Sequence, residues 1–126
     1  MEKKKILIVE DEASLQGAMQ DFLLAEGFDV ALAIDGEIAV RLAKSENPDL
    51  ILLDIILPKK DGFEVLTELK ADEKTKKIPI ILLTNLESAE DIDRAFSLEA
   101  NTYLVKSNYK LEEIVQKIKE MLKMPK

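Results

Sequence analysis

The stretch that most constrains this chain is residues 50–62, LILLDIILPKKDG. Leu50, Ile51, Leu52 and Leu53 form an apolar run too short for a helix, which reads as a strand buried on both faces. The run passes directly into Asp54, so a carboxylate stands where a central parallel strand ends. Leu57-Pro58 and Asp61-Gly62 then bracket a tight loop, because proline fixes φ and Asp-Gly favours a turn. Taken alone, Asp54 is either a turn-forming aspartate or the acid of a site.

The rest of the chain repeats the theme. Residues 6–9 are a second aliphatic run, ending on Glu10 and Asp11, and Glu12-Ala13-Ser14 opens a helix with acids at the positive end of its dipole. Leu15, Ala18, Met19, Phe22 and Leu23 recur at helical spacing before Gly27 stops them. Residues 29–34 alternate like an edge strand, Asp35-Gly36 turns, and Ile38, Ala39, Leu42 and Ala43 mark a helix ending before Asn47-Pro48. Val65, Leu66 and Leu69 give a third helix, and residues 72–77 read as a solvated connection. The apolar strand 80–83 ends on Thr84, and a fourth helix carries Ala89, Ile92, Ala95 and Phe96. The short strand 103–105 ends on Lys106, and the helix through Leu111, Ile114, Val115, Ile118, Met121 and Leu122 closes the domain.

Strands alternating with helices of this length predict an α/β fold, (βα) five times, with a parallel sheet and helices on both faces. One domain over residues 1–126 is expected, with no output domain following. In such sheets the site lies beyond the carboxyl ends of the strands. Four of the five expected strands end there in Glu10-Asp11, Asp54, Thr84 and Lys106, and that convergence favours a site at Asp54.

Composition narrows the chemistry. With no cysteine and no histidine, thiol nucleophiles, Ser-His triads and zinc sites built on those ligands are excluded. A net charge of −7 argues against a nucleic-acid partner, and no run is apolar enough for a signal peptide or membrane span, so a cytoplasmic location is expected. Three carboxylates held together need a cation, and a small hard dication such as Mg2+ takes carboxylates, keeps waters and accepts phosphate oxygens. Lys106 adds a fixed positive charge and Thr84 a hydroxyl donor. The set suits phosphoryl transfer, with Asp54 as nucleophile forming an aspartyl-phosphate.

IVEDE after the first strand, LLDIILPKKDG around the third, LT at the fourth and YLVK at the fifth together make the chain resemble the bacterial response-regulator receiver domains of two-component systems. The resemblance covers nearly the whole chain and implies a flavodoxin-like strand order, 2-1-3-4-5. It implies Asp54 as phosphoacceptor, Mg2+ on Glu10, Asp11, Asp54 and the backbone carbonyl of Ile56, and Thr84 and Lys106 on the phosphoryl group. Tyr103 becomes the aromatic that changes rotamer on activation. The implied partners are a sensor histidine kinase or phosphotransfer protein, and a downstream protein read by the fourth helix, last strand and last helix.

Three positions depart from the family pattern. Ser107 follows Lys106 where a cis proline is usual, so either a cis peptide is held there at about 3 kcal/mol or the loop runs differently. The chain is one residue longer between Lys106 and the last apolar helix face, and Asn85 stands where a small residue is typical. Rival readings are weaker. An FMN site would need Ser, Thr and Gly after the first strand, where Glu10, Asp11 and Glu12 stand; an aspartate-based phosphatase would need a second acid at Ile56. An unphosphorylated receiver-like interaction module is opposed by the intact acid, threonine and lysine set.

Overall fold

The computed structural model describes residues 3–124, so the ends of the expected single unit, Met1-Glu2 and Pro125-Lys126, lie outside the described residues. Five strands, β1 (Lys5–Val9), β2 (Asp29–Ala33), β3 (Leu50–Leu53), β4 (Ile80–Thr84) and β5 (Thr102–Val105), form one parallel sheet in the order β2-β1-β3-β4-β5. Helices α1 (Ala13–Ala25), α2 (Gly36–Glu46), α3 (Gly62–Ala71), α4 (Ala89–Ser97) and α5 (Leu111–Met121) connect and close them.

Alternation along the buried strands makes two cores. Leu7, Val9, Ile51, Leu53, Ile80 and Leu82 face α2 and α3, packing with Ala39, Val65, Leu66 and Leu69. Their neighbours Ile6, Ile8, Leu50, Leu52, Ile81 and Leu83 face α1 and α5, packing with Met19, Leu23, Val115 and Ile118. Successive side chains of a strand point to opposite faces, which is why central strands of a covered sheet read as unbroken aliphatic runs. Each such side chain, fully buried, contributes about 1.5–3 kcal/mol against the entropy of ordering it.

Local chemistry fixes the ends near the sheet's carboxyl rim. Asp35 caps α2 through Ile38 N–H at 2.8 Å, Ser88 caps α4 through Asp91 N–H at 3.1 Å, and Asp61 with Glu64 forms a reciprocal capping box on α3. Gly62 stands where a Cβ would meet the Asp54 carbonyl at 2.5 Å, so α3 approaches the end of β3 only because no side chain is there. Gly36 is crowded likewise, its Cβ position 2.1 Å from the Lys60 carbonyl, and its N–H donates to the Pro58 carbonyl at 3.2 Å. The loop after Asp54 is thereby packed against the starts of both α2 and α3.

Several local expectations shift. β2 ends at Ala33 rather than Ile34, because its pairing with β1 stops at Val9↔Ala33, and Ile34 is 55% exposed. β5 begins one residue early, at Thr102. No acid lies in the first turn of α1; Glu12 precedes it at the cap position and makes no side-chain cap bond. The lysine-rich connection 72–77 is not wholly solvated, since Thr75 is fully buried and its hydroxyl donates to the Leu69 carbonyl at 2.7 Å. Every peptide bond among the described residues is trans; residues Lys106–Asn108 instead form a 3-10 turn closed by Tyr109 N–H on the Lys106 carbonyl. Of the two routes open after Lys106, the chain takes the altered loop.

Candidate functional site

The strand register brings the site residues together. Val9 pairs with Leu53, so Glu10 and Asp54, each one residue further, emerge side by side on adjacent strands. Thr84 and Val105 end the β4–β5 ladder, and Lys106 follows at once from the edge strand. Its side chain crosses the rim to place Nζ 2.7 Å from Asp54 Oδ2 and 2.5 Å from Glu10 Oε1. The remaining oxygens of these acids are held by backbone amides. Glu12 N–H donates to Glu10 Oε2 at 3.1 Å, and Ile56 N–H to Asp54 Oδ1 at 3.2 Å.

Glu10 and Asp54 are 2% and 6% exposed, which is costly for carboxylates unless charge and hydrogen bonds compensate. The chain supplies part of the cation its sequence calls for, in Lys106. Burial alone pulls the Lys106 ammonium toward neutrality, but the hydrogen bonds it donates to Asp54 and Glu10, and their charges, outweigh it, so its pKa is raised. Asp11 is exposed, and one carboxylate oxygen each from Glu10, Asp11 and Asp54 lies within 4.8 Å of the others. Three hard oxygen donors at that spacing fit a small divalent cation.

Thr84 is fully buried at the rim, its hydroxyl oxygen accepting the Leu86 N–H at 3.5 Å. Tyr103 lies half-buried against the α2–α3 core, and its hydroxyl donates to the Leu86 carbonyl at 2.7 Å. Burial, then the charges of Asp91 and Asp54, raise the Tyr103 phenol pKa. Asn85, standing where a small residue is typical, accepts the Ser107 N–H at 3.2 Å and ties the loop after β4 to the loop after β5. Ile56 is 59% exposed beside Asp54.

One buried polar residue at this rim was not legible as such. Gln16, 7% exposed on α1, donates its side-chain amide to the carbonyls of Glu10 and Ala33, both at 3.1 Å. Only its place among the apolar positions of α1, one residue past Leu15, hinted at burial.

A doubly wound sheet of this order, with three acids, a threonine and a lysine at one rim, defines a class of signalling domain. The chain belongs to the response regulator receiver domain family, whose profile matches residues 6–119, and is a receiver domain of two-component systems. It is 44% identical over 119 residues to the transcriptional regulatory protein CiaR of Streptococcus pneumoniae (strain ATCC BAA-255 / R6), a match covering 94% of this chain and 51% of that protein. Among solved structures, a receiver domain of a sensor histidine kinase from Pseudomonas aeruginosa PAO1 is 33% identical, with a TM-score of 0.85 over 94% of this chain and 97% of that one. That structure holds a magnesium ion coordinated in its active site cleft. The phosphorylated cyanobacterial phytochrome response regulator RcpA is 35% identical, with a TM-score of 0.79 over 95% of this chain and 91% of that one. The chain spans about half the length of the curated relatives it matches. No helix among the described residues is long and apolar enough to cross a membrane.

Proposed function

We propose that Asp54 is the phosphoacceptor, and that Lys106, Thr84 and a divalent cation held by Glu10, Asp11 and Asp54 promote its phosphorylation. The observation that carries this reading is the Lys106 ammonium lying between Asp54 and Glu10, with the Asp11 carboxylate in the same cluster. A carboxylate oxygen of Asp54 attacks phosphorus, the P–O bond forms as the donor's P–N or P–O bond breaks, and the leaving group departs with the bonding electrons. Negative charge then gathers on the phosphoryl oxygens. Lys106 neutralises it from one side and the Thr84 hydroxyl can donate to it from another, which is positioning and electrostatics rather than proton chemistry. Mg2+ fits the donor set, with the Ile56 carbonyl as a further ligand, and when bound supplies positive charge to the phosphoryl oxygens and offsets repulsion among the acids.

The donor in this reading is the phosphohistidine of a separate sensor kinase or phosphotransfer protein in the cytoplasm, since this chain has no histidine. Thr84 and Tyr103 carry the signal to the face of α4, β5 and α5, where a downstream protein reads it. A net charge of −7 keeps direct nucleic-acid contact away from this domain. In a longer protein like the transcriptional regulators it matches, the reader of that face is a further domain of the same chain.

Acetyl phosphate tests the reading. With Mg2+ the intact mass should rise by one phosphoryl group, and neither Asp54→Asn nor chelated protein should change. Equal labelling of the Asn variant, or labelling in excess chelator, overturns it.

A further inference from the structure

We propose that Gln16 is a positioning residue that fixes Asp11 for the cation, an inference resting on the metal reading of Glu10, Asp11 and Asp54. Glu10 needs no such help, because its carboxylate is held by Lys106 and by Glu12 N–H. Asp11 differs. It is exposed, and no hydrogen bond or ion pair among the described residues holds its carboxylate. Its place is therefore set by its backbone, and above all by the plane of the Glu10–Asp11 peptide.

That peptide is where Gln16 acts. Its side-chain amide donates to the Glu10 carbonyl at 3.1 Å and, with its second proton, to the Ala33 carbonyl at 3.1 Å. The Ala33 carbonyl also receives Glu10 N–H at 3.0 Å. Both ends of the Glu10 backbone are thus pinned to the last residue of β2. On the other side of Asp11, α1 starts without a side-chain cap, and the Asp11–Glu12 peptide is held through Glu12 N–H on the Glu10 carboxylate at 3.1 Å, so the Gln16 clamp fixes the remaining peptide. A buried amide with both protons committed is costly to misplace, which gives the clamp its rigidity.

Groups that hold metal ligands in place typically contribute 10–100-fold to affinity. The test is Mn2+ binding by the unphosphorylated protein, read from the spin-resonance signal of the free ion, in wild type, Asp11→Asn and Gln16→Met. Methionine keeps the length and removes both donors. Expected is a dissociation constant raised about tenfold or more by Gln16→Met, with Asp11→Asn weaker still and the double variant no weaker than Asp11→Asn alone. Wild-type affinity in Gln16→Met overturns the inference while leaving the metal reading intact. Absence of binding in wild type, or an unchanged Asp11→Asn, overturns the metal reading and this inference with it. Should Gln16→Met not fold, the Gln16 side-chain amide signals of the wild type decide. They should move saturably on Mg2+ titration, and not in Asp11→Asn; signals that stay fixed in the wild type overturn the clamp.

Discussion

The Tyr103 hydroxyl donates to the Leu86 carbonyl at 2.7 Å, tying β5 to the loop that follows Thr84. Leu86 N–H in turn reaches the Thr84 hydroxyl, so one residue of that loop contacts both side chains assigned to the switch. Thr84 moving toward a phosphoryl group would pull on Leu86, and Tyr103 would register the pull.

The first prediction concerns that phenol. Its folded pKa is raised above the ordinary value of about 10. A raised value means the fold favours the neutral form. The contribution to stability is therefore complete below the ordinary value and is lost as pH climbs through the folded one. The difference in phenolate absorbance between wild type and Tyr103→Phe should have its midpoint above pH about 10. A midpoint at or below the ordinary value would show that the ring is not buried as described.

The second prediction follows the pull outward. A ligand shifts a conformational equilibrium only through contacts that differ between the states. With Mg2+ and beryllofluoride, amide shifts should change through Leu86 and across residues 89–105. In Tyr103→Phe the changes should persist at Thr84 but shrink in β5. Changes confined to the loops around Asp54 would end the idea of a switch through Tyr103.

The residues of this relay differ in how far the sequence exposed them. Strand ends were legible because a strand buried on both faces must be apolar until it leaves the core, so Glu10, Asp54, Thr84 and Lys106 stood out by contrast. Strand order is not written in the periodicity, and came from the motif set. The Leu86 carbonyl and the Gln16 amide bonds were hidden for a different reason. A backbone acceptor has no sequence signature, and a glutamine on a helix looks the same exposed or buried. The path after Lys106 depended on Asn85 accepting Ser107 N–H, a contact between loops 22 residues apart.

A third prediction separates the partners at the rim. Lys106 is the ion-pair partner of two buried carboxylates, and removing one member of a buried pair typically costs about 3–5 kcal/mol. Asp54→Asn keeps an oxygen that Lys106 can donate to and removes one negative charge. Denaturant unfolding should show Lys106→Met losing more stability than Asp54→Asn, and the double variant losing less than the sum. Additive losses, or a milder Lys106→Met, would mean that Lys106 does not serve as their counter-charge.

The last prediction concerns lifetime. Hydrolysis of an acyl phosphate needs a water held in line with phosphorus, and polar side chains at the rim are what hold one. Ile56 and Leu86 each stand two residues past a proposed site residue, Asp54 and Thr84, in the loops that follow β3 and β4. Ile56 is 59% exposed, and Leu86 packs partly against the α2–α3 core. Neither side chain offers a hydrogen bond to water, so the phosphorylated state should persist. Asn85 does not fill the gap in this structure, because its oxygen accepts Ser107 N–H. Phosphate loss should be faster in Ile56→Asn, Leu86→Glu by about tenfold, or about 1.4 kcal/mol of barrier. Because Ile56 is the more exposed, Ile56→Asn alone should give part of that gain without disturbing the core. Decay in the double variant at the wild-type rate or slower would show that water access at these two positions does not set the lifetime.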